Sequence, residues 1–398
     1  QYKIGVSYVS VENARENLKA ENTGWDFLQI QNQAESKWNH YLGKIEVEGT
    51  NPDRTTQFYT HLYRSFIHPN VCSDVNGEYM GADFKVHKSR SKHYTSFSNW
   101  DTYRTQIQLL SILDPEVASD IVISHQLFAE EAGGAFPRWV MANIETGVMQ
   151  GDPTPILISN AYAFGARNYD PKPIFKTMRK GAEEPGAMSQ EVEARPGLKQ
   201  YLDKGYYNAS IQLEYTSADF AIAQFALHAV GDEFASWRYF HFARSWKNLY
   251  NPETGWLQSR NPDGSWKPLT EDFRESTYKN YFWMVPYDIA GLIKIIGGKA
   301  AAEKRLDEFF TRLDAGYNDA WFASGNEPSF HIPWIYNWVG TPYKAQEIIN
   351  RVLNEQYSSK IDGLPGNDDL GTMGAWYVFA CIGPVSYTHL RAHETDSY

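Results

Sequence analysis

Four segments crowd carboxylates, amides and aromatic rings into stretches that read as loops beside helices. The first is Ser98-Asn99-Trp100-Asp101-Thr102-Tyr103-Arg104. Asp101 suits a helix cap, a role that contributes about 1 kcal/mol. It equally suits a grip on sugar hydroxyls, with the Trp100 indole packed on the ring. In the second, Phe273 to Asp288, Glu275 stands ahead of Tyr278, Tyr281, Phe282 and Trp283. Desolvation by aromatic side chains favours a protonated carboxyl, the form a general acid needs. A helix-start glutamate favoured by the macrodipole is the alternative.

The third segment is Gly325-Asn326-Glu327-Pro328-Ser329, continuing to Asn337. A carboxylate, an amide and freed backbone carbonyls are what a hard cation such as Ca2+ accepts, and an ordinary surface turn contains the same residues. The fourth, Asp362 to Tyr377, holds Asn367, Asp368 and Asp369 in a Gly-rich loop that opens onto an apolar helix. Adjacent carboxylates there are costly unless solvated, paired or metal-bound, although Asp369 could also cap the helix. Inverting glycoside hydrolysis needs one carboxylic acid and one carboxylate base on opposite faces of the sugar. Glu275 and Asp369 lie in separate loops and can meet across a barrel mouth.

The elements that must position these groups read as mainly α. Residues 2–10 alternate and are β-rich, which predicts a strand, and 11–47 read as largely helical. Helix signals follow near 52–67, 101–113, 115–130, 156–168, 172–183, 216–230, 232–248, 283–297, 299–314, 342–357 and 370–382. Asn51–Pro52, Asp114–Pro115 and Thr341–Pro342 carry start signals. Loops 68–100, 133–155, 249–275 and 321–340 are long and aromatic, which marks ordered loops lining a site. Paired helices with long loops at one end predict a barrel of about twelve helices.

Bulk properties narrow the class. The 398 residues carry a net charge of −11, which argues against a nucleic-acid surface. No apolar run is long enough to span a bilayer. The 13 Trp, 26 Tyr and 21 Phe suit either a large aromatic core or sugar-stacking surfaces. Cys72 and Cys381 match no metal or redox spacing and read as buried small apolar residues. The polar stretch 384–398 fits no helix or strand and reads as an artefactual tail, so His389 and His393 are not read as ligands.

Taken together the segments resemble glycoside hydrolase family 92. The resemblance rests on Trp100-Asp101-Thr102-Tyr103-Arg104, Gly325-Asn326-Glu327-Pro328-Ser329, and Gly363-Leu364-Pro365-Gly366-Asn367-Asp368-Asp369 followed by Met373, Ala375, Trp376 and Tyr377. His68-Pro69-Asn70, Ser73-Asp74-Val75-Asn76-Gly77, Gly151-Asp152-Pro153 and Trp283-Met284-Val285-Pro286 extend it over about residues 2–383. It implies an (α/α)6 barrel over 48–383, a helical linker over 11–47 and the end of a β-sandwich over 1–10, with the barrel's C-terminal part missing.

It also implies Ca2+-dependent, inverting removal of terminal α-linked mannose from glycans. The matched residues are Glu275 as general acid and Asp369 as general base. Trp100, Asp101, Arg104, Glu327 and Asn367 would bind substrate, and Asn326 and Glu327 would lie at the metal. Members commonly read Glu-Gly-Asn-Ala-Trp-Gln-Tyr where this chain reads Glu275-Ser276-Thr277-Tyr278-Lys279-Asn280-Tyr281. Asn326 replaces the His frequent in α-1,2-specific members, which leaves the linkage open. A periplasmic, secreted or cell-surface location is implied, without a membrane span, and the oligomeric state stays open. At this level a trehalase-like (α/α)6 hydrolase that needs no Ca2+, and a non-catalytic glycan-binding module, both remain.

Overall fold

The computed structural model describes residues 2–383; the segment 384–398, read above as a tail, lies outside them. The chain is mainly helical. Its helices are α1 (Val11–Glu21), α2 (Phe27–Leu42), α3 (Pro52–Ser65), α4 (Asn99–Thr102), α5 (Gln106–Leu113), α6 (Pro115–Glu131), α7 (Pro153–Ala163), α8 (Pro171–Glu183) and α9 (Leu198–Lys204). There follow α10 (Ala209–Phe225), α11 (Glu233–Ala243), α12 (Tyr278–Tyr281), α13 (Ile289–Ile295), α14 (Lys299–Phe309), α15 (Tyr336–Val339), α16 (Pro342–Glu355) and α17 (Thr372–Ile382). The described strands are two- or three-residue antiparallel ribbons within loops.

Hydrophobic patterning sorts the helices into two layers. α7 is buried from Pro153 through Ala161, α17 from Thr372 through Phe379, and α10 along almost its whole length. Helices apolar or buried all round belong inside. In α8 the buried Ile174, Phe175, Met178 and Ala182, and in α16 Ala345, Ile348 and Val352, fall at helical spacing. These are single-faced helices that pack outside. α5 packs against α7 and α17, α7 against α10, and α10 against α11. α17 returns onto α3, where the Tyr377 hydroxyl donates to Gln57 Oε1 at 3.2 Å and closes the ring.

Several sequence expectations change in detail. Tyr2–Ser10 forms no strand: a strand needs a ladder partner, and no partner is present among the described residues. Side chains hold it instead, Lys3 Nζ donating to the Asn22 carbonyl and Ser7 Oγ to Asp74. The helix expected over 283–297 shrinks to Ile289–Ile295, because Pro286 cannot continue a helix. The helix expected from 216 begins at Ala209, because its first turns point Ser210, Gln212 and Glu214 inward and so show no apolar period. Asn51 and Asp114 cap as expected, whereas Thr341 makes no side-chain cap bond. Both cysteines are free, and Cys381 is exposed, lying past the buried part of α17.

Behind the loops, the fully buried Arg195 joins Asp152 at 2.8 Å and Asp219 at 2.7 Å, and the Tyr201 hydroxyl donates to Asp219 at 2.7 Å. Asp152 is thus the acid of the Gly151-Asp152-Pro153 motif, and it serves the fold. Removing the cation would leave two buried acids unpaired. Arg195→Met is expected to destabilise the protein by about 3–5 kcal/mol. Adding Asp152→Asn and Asp219→Asn should recover part of that loss, and denaturant midpoints for the single and triple variants provide the check.

Candidate active site

α4 is a single buried turn at the head of the first motif. Ser98 holds its N-cap position, so Asp101 lies inside the turn and is not the cap. Its Oδ1 is buried and has no hydrogen-bond partner among the described residues. Glu327 lies in a 3-10 turn, Glu327–Ser329, only 2% exposed, and its Oε1 is likewise buried and unpartnered. Asp369 is half-buried in the last motif. Carboxylate oxygens of Asp101, Glu327 and Asp369 all lie within 4.8 Å of one another.

The neighbouring Asp368 explains why Asp369 is free to join them. Asp368 Oδ1 accepts the Gly374 amide at 2.9 Å, capping α17 with its side chain. Asp369 contributes only its backbone carbonyl, to the Thr372 amide and hydroxyl. The capping role considered for Asp369 from sequence therefore belongs to Asp368.

Two glycines dock the motif loops on each other. A Cβ on Gly325 would lie 2.4 Å from the Pro365 carbonyl oxygen, and one on Gly366 would lie 2.3 Å from the Gly325 carbonyl oxygen. Only backbone without side chains permits this approach. The Glu275 loop is attached by Asn326, whose Nδ2 donates to the Glu275 carbonyl at 2.6 Å. Glu275, Asp369 and Leu370 have φ of 49°, 43° and 58°. Left-handed backbone at non-glycine residues costs of order 1–3 kcal/mol each and collects at functional sites.

Glu275 is half-buried and lines an open pocket of about 370 Å3 with Gln150, Ser210, Asp272, Phe273 and Arg274. Trp100 and Arg104, expected at the substrate, are fully buried beneath the carboxylates. Their polar atoms meet Glu214 of α10: Trp100 Nε1 donates at 3.0 Å and Arg104 Nη2 at 3.1 Å to Oε1, while the Tyr103 hydroxyl donates to Oε2 at 3.1 Å. Asn367 is exposed at the lip of the Asp369 loop.

Glu214 was not legible in the sequence, because a lone glutamate in an apolar helix has no motif around it. In the structure it packs against Gly151, where a Cβ would meet Glu214 Cβ at 2.4 Å.

Burial is the main reason that Asp101 and Glu327 hold their protons far above the usual carboxylate range, and mutual repulsion with Asp369 adds to it. Asp369 is also raised, by burial and by the charges of Glu275 and Asp368, against a lowering hydrogen bond with Glu327. A close set of carboxylate oxygens, two of them buried and unpartnered, fits a hard divalent cation, which would neutralise the repulsion. The Asn326 amide nitrogen is already engaged with Glu275, so a part for Asn326 at the metal would fall to its oxygen.

Because the folded state keeps protons that the unfolded state releases near pH 4, stability falls as pH rises through the window above that value. In EDTA, as the pH rises above the range in which ordinary carboxylates titrate, the melting temperature of the wild type should decline. Asp101→Asn should flatten that decline. A wild-type curve as flat as that of the variant would contradict the cluster's charge load.

The profile of the glycosyl hydrolase family 92 catalytic domain matches residues 13–388. The fold superposes on a family 92 α-mannosidase of Bacteroides thetaiotaomicron with TM-score 0.87 and 31% identity, covering 96% of this chain and 52% of that one. It superposes on a family 92 inverting mannosidase of the same organism with TM-score 0.85 and 28% identity, covering 95% and 55%. A protein of Arthroderma benhamiae described as an uncharacterized secreted glycosidase is 26% identical, over 96% of this chain and 50% of its own length. The chain thus spans about half the length of the relatives it matches. A matching profile along nearly the whole chain, and the same fold at up to 31% identity, place this chain in glycosyl hydrolase family 92.

Proposed function

We propose that the protein is an exo-acting, inverting α-mannosidase that uses Ca2+ and releases terminal α-linked mannose from glycans. The observation that carries this reading is the convergence of Asp101, Glu327 and Asp369 next to the Glu275 loop, in a chain whose structural relatives are named as mannosidases. One such relative is named as a complex with mannoimidazole.

Glu275 donates its carboxyl proton to the glycosidic oxygen as the bond to the anomeric carbon breaks. Asp369 accepts a proton from the water that attacks the opposite face. The left-handed backbone at both residues fixes the direction of each carboxyl, and the Asn326 bond to the Glu275 carbonyl ties the acid's loop to the turn that docks on the Asp369 loop. Asp101 and Glu327, with the Asn326 oxygen nearby, would hold the Ca2+, which supplies positive charge toward sugar hydroxyls when bound. Trp100 and Arg104 act from beneath, keeping Asp101 in place through Glu214. No described helix is long and apolar enough to cross a membrane. A secreted, periplasmic or surface location suits a glycan substrate and the description of the fungal relative.

The direct test is mannose release from α-1,2-, α-1,3- and α-1,6-linked mannobioses, with Ca2+ and with EDTA. Calcium-dependent release supports the reading, and its absence from all three overturns it. Glu275→Gln should slow mannobiose cleavage by about 10²–10⁴-fold. The same variant should largely spare mannosides with good leaving groups, which need no acid. Asp369→Asn should slow both substrate classes alike, because water activation is common to them.

A further inference from the structure

The open pocket of about 370 Å3 beside Glu275 has no part in the scheme so far. Its volume is in the range usual for small-molecule sites. Glu275 lines it, and none of Asp101, Glu327 and Asp369 does. The space therefore belongs to the flank of Glu275 that the three carboxylates do not occupy.

Most polar side chains around this pocket are engaged with the protein itself. The Ser210 hydroxyl is shared by Gln150 Oε1 at 3.0 Å and the Asp272 carbonyl at 2.6 Å, and Gln150 Nε2 donates to the Tyr281 hydroxyl at 3.1 Å. Lys267 Nζ bridges Asn208 Oδ1 at 3.0 Å and Asp272 Oδ2 at 2.9 Å. These bonds moor the loop 272–275 to the start of α10, and Asn326 holds its other end at the Glu275 carbonyl. Two polar side chains of the lining differ. The carboxyl of Glu275 and the guanidinium of Arg274 form no hydrogen bond or ion pair among the described residues. Although consecutive in the chain, they do not pair with each other.

We propose that this pocket receives the saccharide that leaves, and that Arg274 is a specificity-determining residue whose guanidinium donates to that saccharide's hydroxyl oxygens. The inference rests on the mannosidase reading. The terminal mannose lies at the three carboxylates and the acid touches the glycosidic oxygen. The leaving group then lies on the other side of Glu275, where the pocket begins. A guanidinium presents five N–H donors in a rigid fork, which suits a pair of oxygens on neighbouring carbons. The donors of Arg274 are not used by the fold, and the moored loop fixes the point from which they reach. Arg274 is exposed, so its replacement reads function rather than stability.

The test compares Arg274→Met, which keeps the reach and removes the donors, and Arg274→Lys with the wild type in the full chain, Ca2+ present. Two substrates are used: the α-linked mannobiose that the wild type cleaves fastest, and α-mannosyl fluoride, whose leaving group has no hydroxyl. Arg274→Met should raise KM for the mannobiose about ten-fold with kcat within about three-fold, and shift kcat/KM for the fluoride by less than about three-fold. Arg274→Lys, which keeps a charged donor, should raise the mannobiose KM by less than Arg274→Met does. An unchanged mannobiose KM in Arg274→Met, or an equal loss on both substrates, overturns the proposal. A fall in mannobiose kcat at unchanged KM would assign Arg274 to the proton of Glu275 and overturns it as well. Failure of the wild type on both substrates overturns the mannosidase reading and this inference with it, and that outcome is visible before any variant is made.

Discussion

Repulsion among three carboxylates held within 4.8 Å of one another is the constraint around which this molecule is arranged. Like charges at that range, out of water, push apart or hold protons. The fold resists the push from three directions. Asp101 is locked into α4 by the Glu214 bonds below it, Glu327 by a proline-led 3-10 turn, and Asp369 by the cap that Asp368 places on α17. A cation or shared protons then complete the balance. The strained backbone at Glu275, Asp369 and Leu370 belongs to the same economy, because only a well-packed surround keeps such angles in place.

That surround is a polar core within an apolar one. Arg104 and Glu214 pair at 3.1 Å with neither exposed, and Arg195 holds Asp152 and Asp219 one layer away. Buried pairs add little net stability over apolar replacements. Their value here is positional, since each ties a loop motif to an inner helix: α4 to α10 through Glu214, and the Gly151-Asp152-Pro153 loop to α10 through Arg195. Trp376 of α17 donates to the Phe330 carbonyl at 3.0 Å and so pins the turn carrying Glu327 to the helix that follows Asp369.

Much of this was legible in the sequence, and the rest was hidden for identifiable reasons. Asp101, Glu275, Glu327 and Asp369 announced themselves because acids in Gly- and aromatic-rich loops have few structural uses. Single-faced helices such as α8 and α16 show their period plainly. The start of α10 did not, because inward polar residues erase the apolar pattern that marks a helix. Glu214 was invisible because no motif surrounds it. Trp100 and Arg104 looked like ligand-facing groups, yet their partners are inside, a distinction that only three-dimensional packing draws. The alternation of Tyr2–Ser10 described a side-chain pattern correctly but could not supply the partner that makes a strand.

The contact between α3 and α17 joins residues 320 positions apart, Gln57 and Tyr377. The loop carrying Asp369 immediately precedes α17. During synthesis, the α3–α17 contact and the proposed acid–base pair are therefore completed by the same stretch of chain. Contacts of such long range form slowly. A nascent chain that has not yet emitted α17 exposes the inner faces of α3 and α5, and the proposed base, Asp369, is not yet held in place. On the proposed reading, catalytic competence would then depend on the α3–α17 contact being made.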